Sequence, residues 1–290
     1  MLDLTNQVAL ITGAGSGIGF ALAKVAAQRG MHLVLVDIEA AALEQAKTLL
    51  EAELVASQII RCFTVDVSDA EQMDAMAAAV FAEFAHLDLL FNNAGVGGSG
   101  AIWEQDKAYW EWVLGVNLWG VINGVNAFTA AMVERDSGYI INTASVAGLV
   151  SAADTGPYTV SKHAVVALSE VLVADLRKRN SRVGVSIICP SFVNTKIYAA
   201  ERNRPLPASL QHDEHYHREQ AALAEAASEF FAHTLSPDRV AEQVFEAIER
   251  REFYILPHPE GSRAAIAQRF DGIAAGEAKP LRGPEEYPFS

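Results

Sequence analysis

The feature that most constrains this chain is an alternation: short apolar runs of strand length, each followed by a longer segment of helical period. Val8–Thr12 is the first run, and Ser16–Arg29 follows with Ile18, Leu22, Val25 and Ala26 on one face. Leu33–Asp37 precedes the helical Glu39–Glu51, Ile59–Val65 precedes the alanine-rich Asp69–Phe84, and Leu87–Phe91 is a fourth run. Apolar helices span Trp103–Arg135. Tyr139–Thr143 and Val183–Cys189 make a fifth and a sixth run, with helical Tyr158–Lys178 between them. Strands this apolar cannot face water, so they predict a parallel sheet covered by helices on both faces. Right-handed crossovers then give a doubly wound α/β fold. No linker or repeat divides residues 1–290, which predicts a single domain.

The rhythm breaks at residues 196–233. This segment holds Arg202, Arg204, Pro205, Pro207 and the close histidines His212, His215 and His217. It follows the sixth strand and reads as a lid over the carboxyl edge of the sheet, with a helix around Arg218–Phe231. The histidine spacing matches no catalytic zinc pattern, so no metal is expected. Ser236–Arg250 reads as a surface helix capped by Ser236, with Pro237 in its first turn. Phe253–Leu256 reads as a seventh strand. Residues 257–290 form a C-terminal extension, in which glycine- and proline-rich Asp271–Ser290 reads as a surface loop.

The 22 Lys and Arg against 36 Asp and Glu give a net charge of −14. A chain this acidic repels nucleic acid and anionic membrane surfaces, so neither is an expected partner. Met1–Gln7 lacks the pattern of a secretory signal, and no continuous apolar run approaches the ~18 residues of a membrane helix. Cys62 and Cys189 cannot form a disulfide framework and read as buried thiols in a reducing compartment. A cytoplasmic protein is expected.

The first strand enters Thr12-Gly13-Ala14-Gly15-Ser16-Gly17-Ile18-Gly19 and then a helix. Glycines there permit a tight turn and let backbone N–H groups near Ser16, Gly17 and Ile18 approach a pyrophosphate at the helix N-terminus. The strict G-x-G-x-x-G fingerprint does not fit; T-G-x-x-x-G-x-G, with Gly13, Gly17 and Gly19, does. Asp37 closes the second strand. It can accept hydrogen bonds from ribose hydroxyls and repel a 2′-phosphate, or cap the next helix. No lysine or arginine lies in the glycine loop or directly after Asp37, which favours NAD over NADP. Asp66, before Val67, can accept from an adenine amino group, cap the following helix, or do both.

Tyr158 and Lys162 lie one turn apart near the start of a helix, about 6 Å along its axis and on one face. A lysine ammonium there favours a phenolate, moving tyrosine toward the range of a working base. Ser145, just beyond the Tyr139–Thr143 strand, can reach the same edge.

With these motifs in order, together with Asn92-Asn93-Ala94-Gly95, Asn117 and Pro190–Thr195, the chain resembles the short-chain dehydrogenases/reductases of the shorter, single-domain branch. The resemblance runs from about Leu4 to about Leu256. It implies a Rossmann fold binding NAD(P) and hydride transfer between a nicotinamide and an alcohol carbon. It assigns Tyr158 as general acid/base, Ser145 to the substrate oxygen, and Lys162 to Tyr158 and the nicotinamide ribose. Asn117 would hold a water in a proton relay. Asn93, Ala94 and Gly95 would shape the strand end against the adenosine ribose, and Pro190, Val193 and Thr195 would lie by the nicotinamide. The family usually has proline-glycine where this chain has Pro190-Ser191, which predicts a local difference in the loop beside the nicotinamide. The resemblance also implies a homodimer or homotetramer.

The expected substrate pocket is lined by Val96, Ser99, Val146, Phe192, Ile197 and Tyr198, with Trp103 as a further wall. It holds no cation, which suggests a neutral, bulky secondary alcohol or ketone, unless Arg202 or Arg204 enters from the lid. Asn117–Gly124, Asn142–Leu149 and the long tail are similar to family members that oxidise benzylic alcohols of aryl ethers, and to steroid and terpenoid dehydrogenases. The alternatives are an NADPH-dependent carbonyl reductase and a non-catalytic nucleotide-binding sensor or scaffold.

Overall fold

Side-chain alternation on parallel strands divides the interior into two cores. The computed structural model describes residues 4–54, 57–98, 100–206, 208–283 and 286. Strands β1 Val8–Thr12, β2 His32–Asp37, β3 Ile60–Thr64, β4 Leu89–Asn92, β5 Tyr139–Thr143, β6 Gly184–Ile188 and β7 Tyr254–Ile255 form one sheet. All pairs are parallel, in the order β3-β2-β1-β4-β5-β6-β7. The helices are α1 Gly17–Gln28, α2 Ala40–Glu51, α3 Ala70–Phe84, α4 Lys107–Leu114, α5 Gly120–Arg135, α6 Gly156–Lys178, α7 Ala208–Gln211, α8 Glu214–Phe231, α9 Pro237–Arg250 and α10 Pro259–Ala275.

Alternate residues of each strand serve opposite faces. Ala9, Ile11, Leu33, Leu35 and Phe91 pack with Leu22 of α1 and with Val244 and Phe245 of α9. Their neighbours Val8, Leu10, Val34, Val36 and Leu90 pack with Met73 and Val80 of α3, Phe128 of α5 and Leu176 of α6. Strand order reverses at β1, where successive connections leave on opposite sides. The crevice opens there, beyond the carboxyl ends of β1 and β4.

Several expectations are corrected. The helix expected from Trp103 begins at Lys107, because the Asp106 carboxylate accepts from the Tyr109 N–H at 2.7 Å and caps it. Trp103 is 82% exposed and forms no pocket wall. A π-helical turn, Gly115–Trp119, joins α4 to α5. The combined helix Lys107–Arg135 is long and apolar enough to cross a bilayer, yet its Phe128 and Met132 are buried in the second core. The lid helix starts at Glu214, one turn earlier than expected, because Asp213 accepts from the N–H groups of His215 and Tyr216. Asp271–Ala275 is helical, the end of α10, which the glycine- and proline-rich composition concealed. Cys189 is buried, whereas Cys62 is only partly so.

Phe91 and Phe245 meet with ring centroids 5.7 Å apart, joining the sheet to α9. Phe91→Ala is expected to cost about 3–5 kcal/mol of stability. Urea denaturation checks this, and a loss below about 1 kcal/mol would show that the sheet does not depend on this contact.

Candidate active site

Thr12, the last residue of β1, stitches the strand ends together. Its hydroxyl donates to the Phe91 carbonyl at 3.3 Å and accepts from the N–H groups of Asn93 at 2.9 Å and Ala94 at 3.0 Å. Asn93 donates back to the Thr12 carbonyl and accepts from Thr143 of β5. The Asn93 side chain therefore braces three strand ends. Sequence reasoning missed Thr12, although a hydroxyl at a buried strand end is a readable signal.

The glycine loop lies on this brace. Gly13 has φ +68°, and a Cβ there would stand 2.9 Å from the Ala94 Cα. Gly17 has φ +55°, and a Cβ there would stand 3.0 Å from Thr195 Cγ2. Both positions demand glycine. Ser16 precedes α1 without capping it, and no acid occupies the first turn, so the α1 N–H groups suit an anion. The Asp37 carboxylate accepts from the Gly15 N–H at 2.8 Å and from the Glu39 N–H at 3.0 Å. Glu39 is the N-cap of α2, so Asp37 does not cap that helix, the alternative role expected from sequence. Asp66 likewise does not cap α3: Asp69 does, while Asp66 accepts from the backbone and hydroxyl of Ser68. Bare loop, uncapped helix and fixed carboxylate together fit a dinucleotide.

From the brace, contacts run unbroken to the other motif residues. A Cβ at Gly95 would stand 3.3 Å from Asn117 Oδ1 and 3.5 Å from Lys162 Nζ. Asn117 sits in the π turn, fully buried. It accepts from the Val96 N–H at 2.8 Å and donates to the Val96 carbonyl at 3.0 Å and to Ser161 Oγ at 3.1 Å. Its side chain thus clamps the segment that follows β4. Lys162 Nζ donates to the Thr143 carbonyl at 2.9 Å and lies 5.7 Å from the Tyr158 ring centroid. Ser145 Oγ donates to the Pro190 carbonyl at 3.2 Å and accepts from the Ala147 N–H at 3.1 Å.

Burial lowers the Lys162 pKa to about 8, and it pushes the neighbouring Cys189 thiol up to about 12. Lys162 therefore remains mainly cationic at neutral pH, and Cys189 remains a neutral thiol. Such an ammonium favours a phenolate on its own helix face.

The expected pocket residues divide. Val146 and Phe192 join Tyr158 in one apolar cluster that also takes in Ala265 and Ile266 of α10 and Leu281 of the tail. Val96 belongs instead with Tyr109, Val113 and Ala200. Ile197 backs the Gly97 turn. Tyr198 borders a cleft of about 340 Å³ beside Ser16, Gly17 and Thr195. Val193 is buried in the first core, so its side chain does not line the groove. Ser99 lies outside the described residues. Ser191 does not adopt a positive φ, so serine fits where the family has glycine, and its N–H donates to His258 Nδ1.

Three sets of contacts with distant segments were not legible in the sequence. Leu281 of the tail donates to the Ser151 carbonyl and accepts from the Ala153 N–H, closing the loop between Ser145 and Tyr158. Phe230 and Phe231 of α8 meet Phe192 edge to face, with centroids at 5.0 and 5.7 Å. Arg202 pairs with Glu39.

The short chain dehydrogenase family model matches residues 7–205. A C alpha-dehydrogenase from Sphingobium sp. (strain NBRC 103272 / SYK-6) is 33% identical over 98% of this chain and 91% of its own. A Burkholderia phymatum short chain dehydrogenase/reductase, solved in complex with NAD, is 41% identical with TM-score 0.86, covering 97% of this chain and 99% of that one. A metagenomic short-chain oxidoreductase in complex with NADP is 26% identical with TM-score 0.67, covering 88% and 97%. The chain belongs to the short chain dehydrogenase family. It is an oxidoreductase acting on CH–OH groups, in a family that binds NAD(P).

Below about pH 8 the folded protein carries the full burial cost of the Lys162 charge. Between about 8 and the ordinary lysine value of 10.5 the unfolded chain binds the proton more tightly, so this contribution to stability rises with pH. Lys162→Met is expected to stabilise the cofactor-free protein at pH 7 by about 2 kcal/mol, an advantage that fades by about pH 10. Denaturation at both pH values checks this; an equal effect at each would show that the charge carries no burial cost.

Proposed function

We propose that the protein is an NAD-dependent dehydrogenase of bulky, neutral secondary alcohols. The observation that carries this reading is the unbroken chain of contacts from Gly13 through Ala94, Gly95, Lys162 and Thr143 to the edge bearing Ser145 and Tyr158. Bound there, the dinucleotide supplies the hydride acceptor. Tyr158 takes the hydroxyl proton of the alcohol as the carbon gives up its hydride, and returns it in the reverse direction. Ser145 turns its hydroxyl from the Pro190 carbonyl to the substrate oxygen and orients it. Lys162 makes the phenolate accessible and reaches the nicotinamide ribose. Asn117 holds the Val96 backbone and Ser161 of α6 in place beside them.

Gly13, Ser16, Gly17, Ile18 and Gly19 would seat the pyrophosphate, and Asp37 the adenosine ribose. Asp66 and Val67 would border the adenine, and Asn93, Ala94 and Gly95 its ribose. Pro190, Val193 and Thr195 would meet the nicotinamide through the loop after β6. The substrate class rests on the apolar wall of Val146, Phe192, Phe231 and Leu281, which offers aromatic faces and no charge. An alcohol carbon flanked by an aromatic ring suits that wall, and the Sphingobium relative, named a C alpha-dehydrogenase, supports the reading as a dehydrogenase.

A second reading, an NADPH-dependent carbonyl reductase, is favoured by one observation: Arg202 reaches the Glu39 carboxylate, two residues beyond Asp37.

Tyr158→Phe is expected to lower turnover at least 100-fold, an order of magnitude set by proton transfer, while NADH still binds. Kinetics with a panel of aryl, steroid and aliphatic secondary alcohols, followed by NADH absorbance, check this; near-normal turnover would remove Tyr158 from its role. Direct titration is expected to give tighter binding of NAD than of NADP, with Asp37→Asn narrowing the gap about 10-fold. Tighter NADP binding by the unmodified protein would overturn the NAD assignment.

A further inference from the structure

Arg202 belongs to the 3₁₀ segment Lys196–Asn203, far in sequence from the glycine loop. In the fold it lies against Glu39. Its NH2 is 2.6 Å from Glu39 Oε1, and its Nε is 3.1 and 3.3 Å from the two carboxylate oxygens. Its remaining amine, NH1, donates to the carbonyls of Ala199 at 2.8 Å and Lys196 at 3.3 Å. Asn203 adds a fourth contact to Glu39, at 2.9 Å. The fork is thus braced from its own segment and aimed at the start of α2.

Glu39 is also tied to the ribose carboxylate. Its N–H donates to Asp37 Oδ1, while Asp37 Oδ2 accepts from the glycine loop at Gly15. One backbone link therefore separates the Asp37 carboxylate from the residue that holds the guanidinium. The Arg202 hydrogen bond keeps Glu39 below the ordinary carboxyl range, with Lys196 adding a weaker charge effect, so Glu39 is ionised at neutral pH.

We propose that Glu39 is a specificity determinant for NAD, acting by masking Arg202. This rests on the NAD reading above and adds to it a second residue. A 2′-phosphate on the adenosine ribose is a dianion with acceptor oxygens spaced for a guanidinium fork. Arg202 is a cation of the right chemistry near the right end of the groove. With Glu39 in place its charge is neutralised and its fork engaged. Glu39 also stands as a second carboxylate beside Asp37, and both repel the phosphate. The 196–233 segment thus brings a phosphate-binding group to the groove, and Glu39 keeps it from acting as one.

The test is a cycle of Glu39→Gln, Arg202→Ala and the double variant, with NAD and NADP titrated calorimetrically into the cofactor-free protein. Glutamine keeps the shape of Glu39 and removes its charge. Glu39→Gln is expected to shift the NADP/NAD affinity ratio toward NADP by about 5- to 10-fold, the range of a charge-assisted contact. Arg202→Ala alone is expected to leave the ratio within about twofold, and the double variant is expected to lose most of the gain, keeping only the part due to repulsion by Glu39. An unchanged ratio in Glu39→Gln overturns the proposal. So does an equal gain in the Arg202→Ala background, since the effect would then be repulsion by Glu39 alone. The unmodified protein's own ratio separates the two ideas: tighter NADP binding there defeats the NAD reading, while the cycle still decides whether Glu39 masks Arg202.

Discussion

A sheet buried on both faces leaves only its ends for chemistry. Strands β1, β2, β4, β5 and β6 alternate their side chains between two packed layers of helices, so none of them can offer a reactive group from its middle. Chemistry must collect where strands stop and backbone polar groups lose their ladder partners. The carboxyl edge satisfies those groups with side chains. Thr12 and Asn93 join β1, β4 and β5 there, and Lys162 covers the last carbonyl of β5. These hydrogen bonds hold the glycine loop and the tyrosine helix in one frame.

The same frame carries a cost. A lysine with only 2% of its surface exposed is expensive to keep charged, and its pKa falls accordingly. The fold tolerates it because the Thr143 carbonyl accepts a hydrogen bond from its ammonium. A neutral residue would suit stability better, which is the usual relation between a functional site and the core that holds it. The π turn at Gly115–Trp119 belongs to the same pattern. An extra residue in that turn places Asn117 against the Val96 backbone, where both ends of its amide are engaged.

Above the edge the chain becomes more individual. The segment after β6 carries Phe230 and Phe231 to Phe192, and its Arg202 to Glu39, so one excursion touches both the apolar wall and the adenosine end. The tail closes the opposite side through Leu281. On the reading proposed here, cofactor choice and substrate choice share these late elements, while the proton chemistry belongs to the early ones.

The fold and the central residues were legible in the sequence because their signals are local. Apolar runs alternate with helical periods, the four glycines sit within one turn, and Tyr158 and Lys162 are one helical turn apart. Boundaries set by a single cap, as at Asp106 and Asp213, shifted by about a turn. The end of α10, Asp271–Ala275, was hidden by the glycine and proline that follow it. Sequence alone thus determined the doubly wound sheet, the glycine loop and the residues that gather at its edge. Tertiary structure decided that Arg202 meets Glu39, that Leu281 seals the Ser145–Tyr158 loop, that Val96 parts company with Phe192, and that Asp37 fixes the loop instead of capping a helix. Each of these is a contact between segments distant along the chain, and only the packing of one element on another brings such groups within bonding distance.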